Sequence, residues 1–182
     1  VDNLKKIMNQ SLIDKTSIFQ TRPKYSNEGK KEILHNFFEN KKIGQSLKPV
    51  VVTAYDLEAR KPILLSSYGD PEVTAVQAAN ASSAAPIYFP TASMEDGRWL
   101  IDGGIATNNP SLIGYVEAKK LFSTNNIKVL GIGAGLNKRK ISGKNSRNWG
   151  ALGWLRHDIL GIMLESSLQN EILKDLIGAD YL

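Results

Sequence analysis

An α/β fold, a sheet with helices on both faces, is predicted by three features of this 182-residue chain. Strand-like apolar runs at 50–55 and 127–132 alternate with segments of helical periodicity. Residues 73–85 read as a helix of very small side chains, which allow close packing against a neighbour. Asp102-Gly103-Gly104 stands where an apolar strand end, Trp99-Leu100-Ile101, passes through a glycine turn towards another helix. A hydrophobic content of 42% over this length suits one sizeable core and, by length alone, one domain.

Each element follows from local pattern. Residues 2–13 read as a helix and 14–27 as a loop. Residues 28–40 read as a second helix, with Ile33, Leu34, Phe37 and Phe38 on one face. The β-branched run at 50–55 predicts a strand that closes around 58–61 as a hairpin with 63–67. The small-residue helix stops at Pro86, which has no N–H to continue it. Residues 99–101 form a short strand. Asn109 reads as an N-cap and Pro110 as the first residue of a helix over 110–122, with Leu112, Ile113, Val116 and Leu121 at roughly helical spacing. Residues 127–132 predict a buried strand, since no charge follows Lys128. Residues 136–149 read as a polar loop, and 151–177 as one or two helices broken near His157 or Gly161. There is no internal repeat or low-complexity linker.

The chemistry concentrates at Asp102. A carboxylate at a strand's carboxyl end lies where α/β sheets bind ligands. Gly103 and Gly104, lacking Cβ atoms, allow a positive φ and close approach of a backbone or substrate. Asp102 therefore has two readings, a turn-stabilising hydrogen bond or a base. Asn109 reads as a cap, and Asn108 as holding the Asp102 turn or orienting its carboxylate through a hydrogen bond; the architectural reading is favoured for both. Tyr88 and Phe89, between prolines, either line an apolar groove or pack in the core. Gly131, Gly133 and Gly135 read as a tight strand-end turn. Leu136 replaces the third glycine of a dinucleotide fingerprint, and a basic loop follows instead of a helix.

Composition excludes several classes. The net charge is +5 and the pI about 9.3, with Lys138, Arg139, Lys140, Lys144 and Arg147 clustered in one loop. That loop is either a solvated segment or a contact for anionic lipid headgroups. No recognition helix, aromatic strand motif or zinc spacing points to nucleic acid. The chain has no cysteine, so disulfides and thiolate metal sites are excluded, which fits a reducing, cytoplasmic compartment. No apolar run reaches the roughly 18 residues of a spanning helix, and the first residues lack a signal-peptide pattern. His35 and His157 stand far apart with no metal-ligand spacing.

The stretch Ala78-Ala79-Asn80-Ala81-Ser82-Ser83-Ala84-Ala85-Pro86-Ile87-Tyr88-Phe89-Pro90 is followed by D-G-G-x-x-x-N-N-P and then by Lys128-Val129-Leu130-Gly131-Ile132-Gly133-Ala134-Gly135. In order and spacing this closely resembles the patatin-like phospholipase family. The likeness extends upstream through Ile18-Phe19, Pro23-Lys24-Tyr25 and residues 49–56, and downstream to Gly178-Ala179-Asp180-Tyr181. The resemblance implies a patatin-like sheet and a lipid acyl hydrolase of the phospholipase A type. Such enzymes use a serine and an aspartate without the histidine of the usual triad, and need no cofactor or metal. Asp102 matches the aspartate, Gly103 and Gly104 its supporting turn, and the implied substrate is a phospholipid or another acyl-ester lipid.

A serine hydroxyl needs a base within hydrogen-bond reach and preorganised donors for the oxyanion. The family supplies the nucleophile in G-x-S-x-G at a strand-to-helix elbow and the donors in an earlier glycine-rich loop. No serine of this chain has glycine at both i−2 and i+2. Ser82 and Ser83, in an alanine-rich helix before a proline, read as packing residues. Residues 1–182 are thus expected to be the carboxyl-terminal portion of a single patatin-like domain. The nucleophile-bearing portion is then cleaved, disordered or on another polypeptide, and the implied partner is that amino-terminal portion or a companion chain. Two alternatives remain: a non-catalytic half-domain or degenerate homologue that binds lipid or a partner protein, and a nucleotide-binding α/β protein resting on the broken glycine motif.

Overall fold

In the computed structural model, which describes residues 22–135, 140–157, 159–163 and 167–182, the predicted hairpin forms one side of the sheet, with β2 at its edge. Strand β1 (Val51–Asp56) pairs antiparallel with β2 (Lys61–Ser66), Ala54 opposite Ile63. The turn closes on Asp56, whose Oδ1 accepts from the Glu58 and Ala59 amides at 3.0 Å each. This Asx geometry gives a strand-end carboxylate its partners without a charge pair. The chain divides into two compact units, residues 1–106 and 107–182.

The first unit begins, among described residues, with α1 (Glu28–Phe38). The sequence assigns its apolar face to Ile33, Leu34, Phe37 and Phe38, but the buried residues are Lys30 and Ile33, and Phe37 is exposed. The packed face thus runs one turn earlier along the helix. After β2 comes α2 (Ala75–Ser82), the small-residue helix, shorter at both ends than residues 73–85. Its start is a capping box: Thr74 Oγ1 accepts from the Gln77 amide, and Gln77 Oε1 accepts from the Thr74 amide, both at 3.1 Å. Strands β3 (Ala92–Ser93) and β4 (Trp99–Asp102) complete a sheet ordered β2-β1-β4-β3, antiparallel throughout.

Alternation places Ala54 and Leu65 on the face that meets α2, where Ala92 and Leu100 also lie. They pack with Ala78, Ala81 and Ala84, all at most 1% exposed, in a core also containing Ile43 and Met94. Alanines here let the helix backbone approach the sheet more closely than larger residues would. The mixed α/β class is as the sequence predicts.

Helix α3 (Gly104–Thr107) starts at the motif's second glycine. The second unit contains α4 (Ser111–Phe122), α5 (Gly143–Ser146), α6 (Ala151–Arg156), α7 (Ile159–Met163) and α8 (Ser167–Ile177). The predicted break at His157 is present, as the C-cap of α6, with the ring stacked on Trp149 at 3.9 Å between centroids. Helix α4 packs against α8, yet Val116 and Leu121 of its predicted apolar face are about 40% exposed.

The predicted buried strand over 127–132 is corrected. Its pairing among the described residues is one short parallel bridge, Val129 with Tyr181, held by backbone hydrogen bonds between residues 129–131 and 180–182, and Leu130 and Ile132 are 67% and 87% exposed. Apolar β-propensity marks a segment that fits a sheet, and a strand forms only where a partner lies alongside. The helix predicted over 2–13 and the loop residues Lys138 and Arg139 lie outside the described residues.

Candidate active site

Asp102 is the last residue of β4, at the strand's carboxyl end as the sequence predicts. Three contacts fix it. Its position opposite Ala54 aligns it in the sheet. Its amide donates to the Ala84 carbonyl at 3.1 Å, tying the strand end to the segment just after α2. Its carboxylate Oδ1 accepts from the Gly104 amide at 2.8 Å. The last bond is the turn-stabilising role, and it also sets the carboxylate's orientation.

The glycines serve this arrangement unequally. A Cβ on Gly103 would lie 2.4 Å from the Thr53 carbonyl carbon and 2.5 Å from its oxygen, so β4 and β1 approach too closely for any side chain there. Neither Gly103 nor Gly104 takes the positive φ that their composition allows; that conformation is found instead at Gly97, Gly135 and Gly178. Close approach of a backbone, not turn handedness, is what Gly103 supplies. Gly104 supplies the amide.

Burial raises the proton affinity of Asp102 above that of an ordinary aspartate, while the Gly104 amide and the positive charge of Lys30 act in the opposite direction. A carboxylate with raised proton affinity is the form suited to taking a proton from a hydroxyl.

Lys30 is the site residue that sequence reasoning missed. It is 4% exposed, on α1, and its Nζ donates to the carbonyls of Ser83 at 3.2 Å and Asn80 at 3.4 Å. The ammonium also lies 4.3 Å from the Phe89 ring centroid. Burial lowers its pKa to about 8, with the Asp102 charge opposing that shift and Lys31 adding to it. The signal in the sequence is spacing: Lys30 precedes Ile33 by three residues and shares its face.

The other candidates are placed as follows. Ser83 Oγ donates back to the Ala79 carbonyl of its own helix at 2.6 Å, a packing and capping arrangement. Phe89 packs on the buried Tyr25 ring at 5.5 Å, whereas Tyr88, 40% exposed, stacks beside Tyr25 at 6.4 Å. The Lys24 and Tyr25 amides donate to the Ile87 and Tyr88 carbonyls at 2.8 Å each, fastening this segment after Pro86.

In the second unit Asn109 is architectural. Its Oδ1 accepts from the Ser111 amide at 2.9 Å, an Asx turn leading into α4; the helix starts one residue later than predicted, so Pro110 and not Asn109 is the N-cap. Its Nδ2 donates to Asn170 Oδ1 and to the Tyr181 hydroxyl, the latter at 3.2 Å. Tyr181 in turn donates to Asn170 Oδ1 at 2.7 Å. A Cβ on Gly131 would stand 2.8 Å from that hydroxyl, which explains one glycine of the run at 131–135 as a close-approach position. Of the basic residues predicted to lie in a loop, Lys140, Lys144 and Arg147 are exposed, with Lys144 in the short helix α5 and Arg147 its C-cap.

The family model for patatin-like phospholipase matches residues 2–114, a span that includes both Lys30 and Asp102. The chain is 31% identical over 189 residues to patatin-like protein 1 of Arabidopsis thaliana, covering 86% of this chain and 46% of that protein. It is 28% identical over 174 residues to a cGAMP-activated phospholipase of Pseudomonas aeruginosa, covering 90% and 52%. With Patatin-11 of Solanum tuberosum it shares 25% over 162 residues, 73% of this chain and 42% of that protein. The chain thus spans about half the length of these curated relatives. A family match over more than half its residues, on the segment that carries the D-G-G turn, means that the chain belongs to the patatin-like phospholipase family.

Proposed function

We propose that the intact protein is a lipid acyl hydrolase of the phospholipase A type in which Asp102 is the general base. The observation that carries this reading is the partly buried carboxylate at the end of β4, with raised proton affinity and one oxygen anchored by the Gly104 amide. A serine from a segment outside these residues attacks the ester carbonyl while Asp102 takes its proton. Backbone N–H donors of a glycine-rich loop, also outside these residues, hold the oxyanion. As the tetrahedral intermediate collapses, Asp102 returns the proton to the leaving alcohol. Water then attacks the acyl-serine, its proton passing to Asp102 and back to the serine oxygen as the fatty acid departs.

In this reading residues 1–182 are the carboxyl-terminal portion of one patatin-like domain, acting on lipid in the cytoplasm. Lys140, Lys144 and Arg147, exposed and without an acidic residue between 136 and 157, favour peripheral contact with an anionic lipid surface. No helix among the described residues is long and apolar enough to cross a membrane.

A second reading, a half-domain or degenerate homologue that binds lipid or protein without hydrolysis, is favoured by one observation. No serine in these residues has the glycine flanks of the elbow. Treatment with a fluorophosphonate, followed by intact mass under denaturing conditions, separates the two. An adduct on a species heavier than 20.0 kDa, or on a companion chain, supports the hydrolase; a bare 20.0 kDa chain favours the binding module.

A further inference from the structure

Lys30 is a buried cation whose hydrogen bonds converge on the end of α2, beside the carbonyl that holds the Asp102 amide. Its Nζ donates to the Asn80 and Ser83 carbonyls, and the next carbonyl along, that of Ala84, accepts the Asp102 amide. The last carbonyls of a helix carry the negative end of its dipole and lack partners within the helix, so an ammonium placed on them is held there. The Phe89 ring covers it from another side. Among the described residues, the elements packed around the pair add few other charges. Helix α2 has none along its length, Asp56 on β1 has Oδ1 turned into its own hairpin, and Lys31 on α1 opposes the Lys30 charge.

We propose that Lys30 is a positioning residue for Asp102: clamped on the Asn80 and Ser83 carbonyls, it fixes the segment that holds the Asp102 amide and keeps the neighbouring carboxylate ionised and ready to accept a proton. Burial alone drives an aspartate towards its neutral form, in which it is no base. A nearby cation that remains charged at neutral pH offsets that drive, and a pKa of about 8 leaves Lys30 charged there. The catalytic consequence rests on the hydrolase reading, but the electrostatic coupling between the two residues does not.

The test is a carboxyl-carbon NMR titration of Asp102 in the full-length protein, its signal assigned by its disappearance in Asp102→Asn. Lys30→Gln keeps a donor for the two carbonyls and removes the charge, and Lys30→Arg keeps the charge. The Asp102 midpoint is expected to move to higher pH in Lys30→Gln and in Lys30→Met, and to stay near that of the unaltered protein in Lys30→Arg. The acid limb of kcat/KM for ester hydrolysis is expected to move with it. A midpoint unchanged in either folded neutral variant overturns the proposal. Absence of hydrolysis in the unaltered protein would overturn the hydrolase reading while leaving the carboxyl titration readable.

Discussion

The Asp102 amide donates to the Ala84 carbonyl, so the residue that ends β4 is fastened to the segment that ends the small-residue helix. Sheet and helix therefore meet at the carboxylate. Because Ala78, Ala81 and Ala84 have almost no side chain to interpose, α2 lies close enough to the sheet for this bond to form. A position defined by two rigid elements is better suited to a base than one on a free loop.

Gly103→Ala tests the close approach at the turn. The new methyl would stand 2.4 to 2.6 Å from atoms of Thr53, two of them backbone, so β4 must move away from β1. Overpacking of this kind costs about 1 to 3 kcal/mol. Urea unfolding should show that loss, and Asp102 should be displaced with it, lowering any hydrolytic rate. Unchanged stability would mean that the turn yields without strain.

In the second unit, Gly131 and Tyr181 should be coupled. Gly131→Ala places a methyl 2.8 Å from the Tyr181 hydroxyl, which is itself bonded to Asn170. Tyr181→Phe alone gives up that hydrogen bond and the one from Asn109, for a loss of about 1 kcal/mol. Once the hydroxyl is gone, Gly131→Ala should cost less than it does in the unaltered protein. A double-mutant cycle in urea measures the difference, and strict additivity would contradict the packing described.

Lys30 should leave a signature in the pH dependence of stability. Its pKa is about 8 in the folded protein, against 10.5 for an unperturbed lysine. Between those values the unfolded chain binds more protons than the folded one, so the Lys30 contribution rises with pH across that window and is flat below it. Comparing unfolding free energies of the unaltered protein and Lys30→Met through that window should show the rise in the former and its loss in the latter. Parallel curves would mean that Lys30 is not desolvated.

Much of the first unit was legible in the sequence because its signals are local. The hairpin is written in β-branched residues on both sides of a polar turn, α2 in its alanines and terminal proline, and Asp102 in the apolar strand and glycines around it. Lys30 was not legible in the same way. Helical periodicity sorts residues by polarity, and a lysine on a packed face is read as solvent-facing unless its partners, here two carbonyls some fifty residues away, are known. The same blindness to partners explains residues 127–132, where strand propensity is present but pairing among the described residues reduces to one bridge. Phe37, exposed despite its spacing, shows that an apolar stripe can extend beyond what the adjoining element covers.

The most direct measurement is kcat/KM for ester hydrolysis by the full-length protein and its Asp102→Asn variant, alongside thermal melts of both. Asparagine keeps an oxygen for the Gly104 amide but cannot take a proton. With Asp102 as the base, the expected result is an unchanged fold and a rate lower by at least about 10²-fold, the usual scale for loss of a general base. Full activity in a folded Asp102→Asn variant would contradict it.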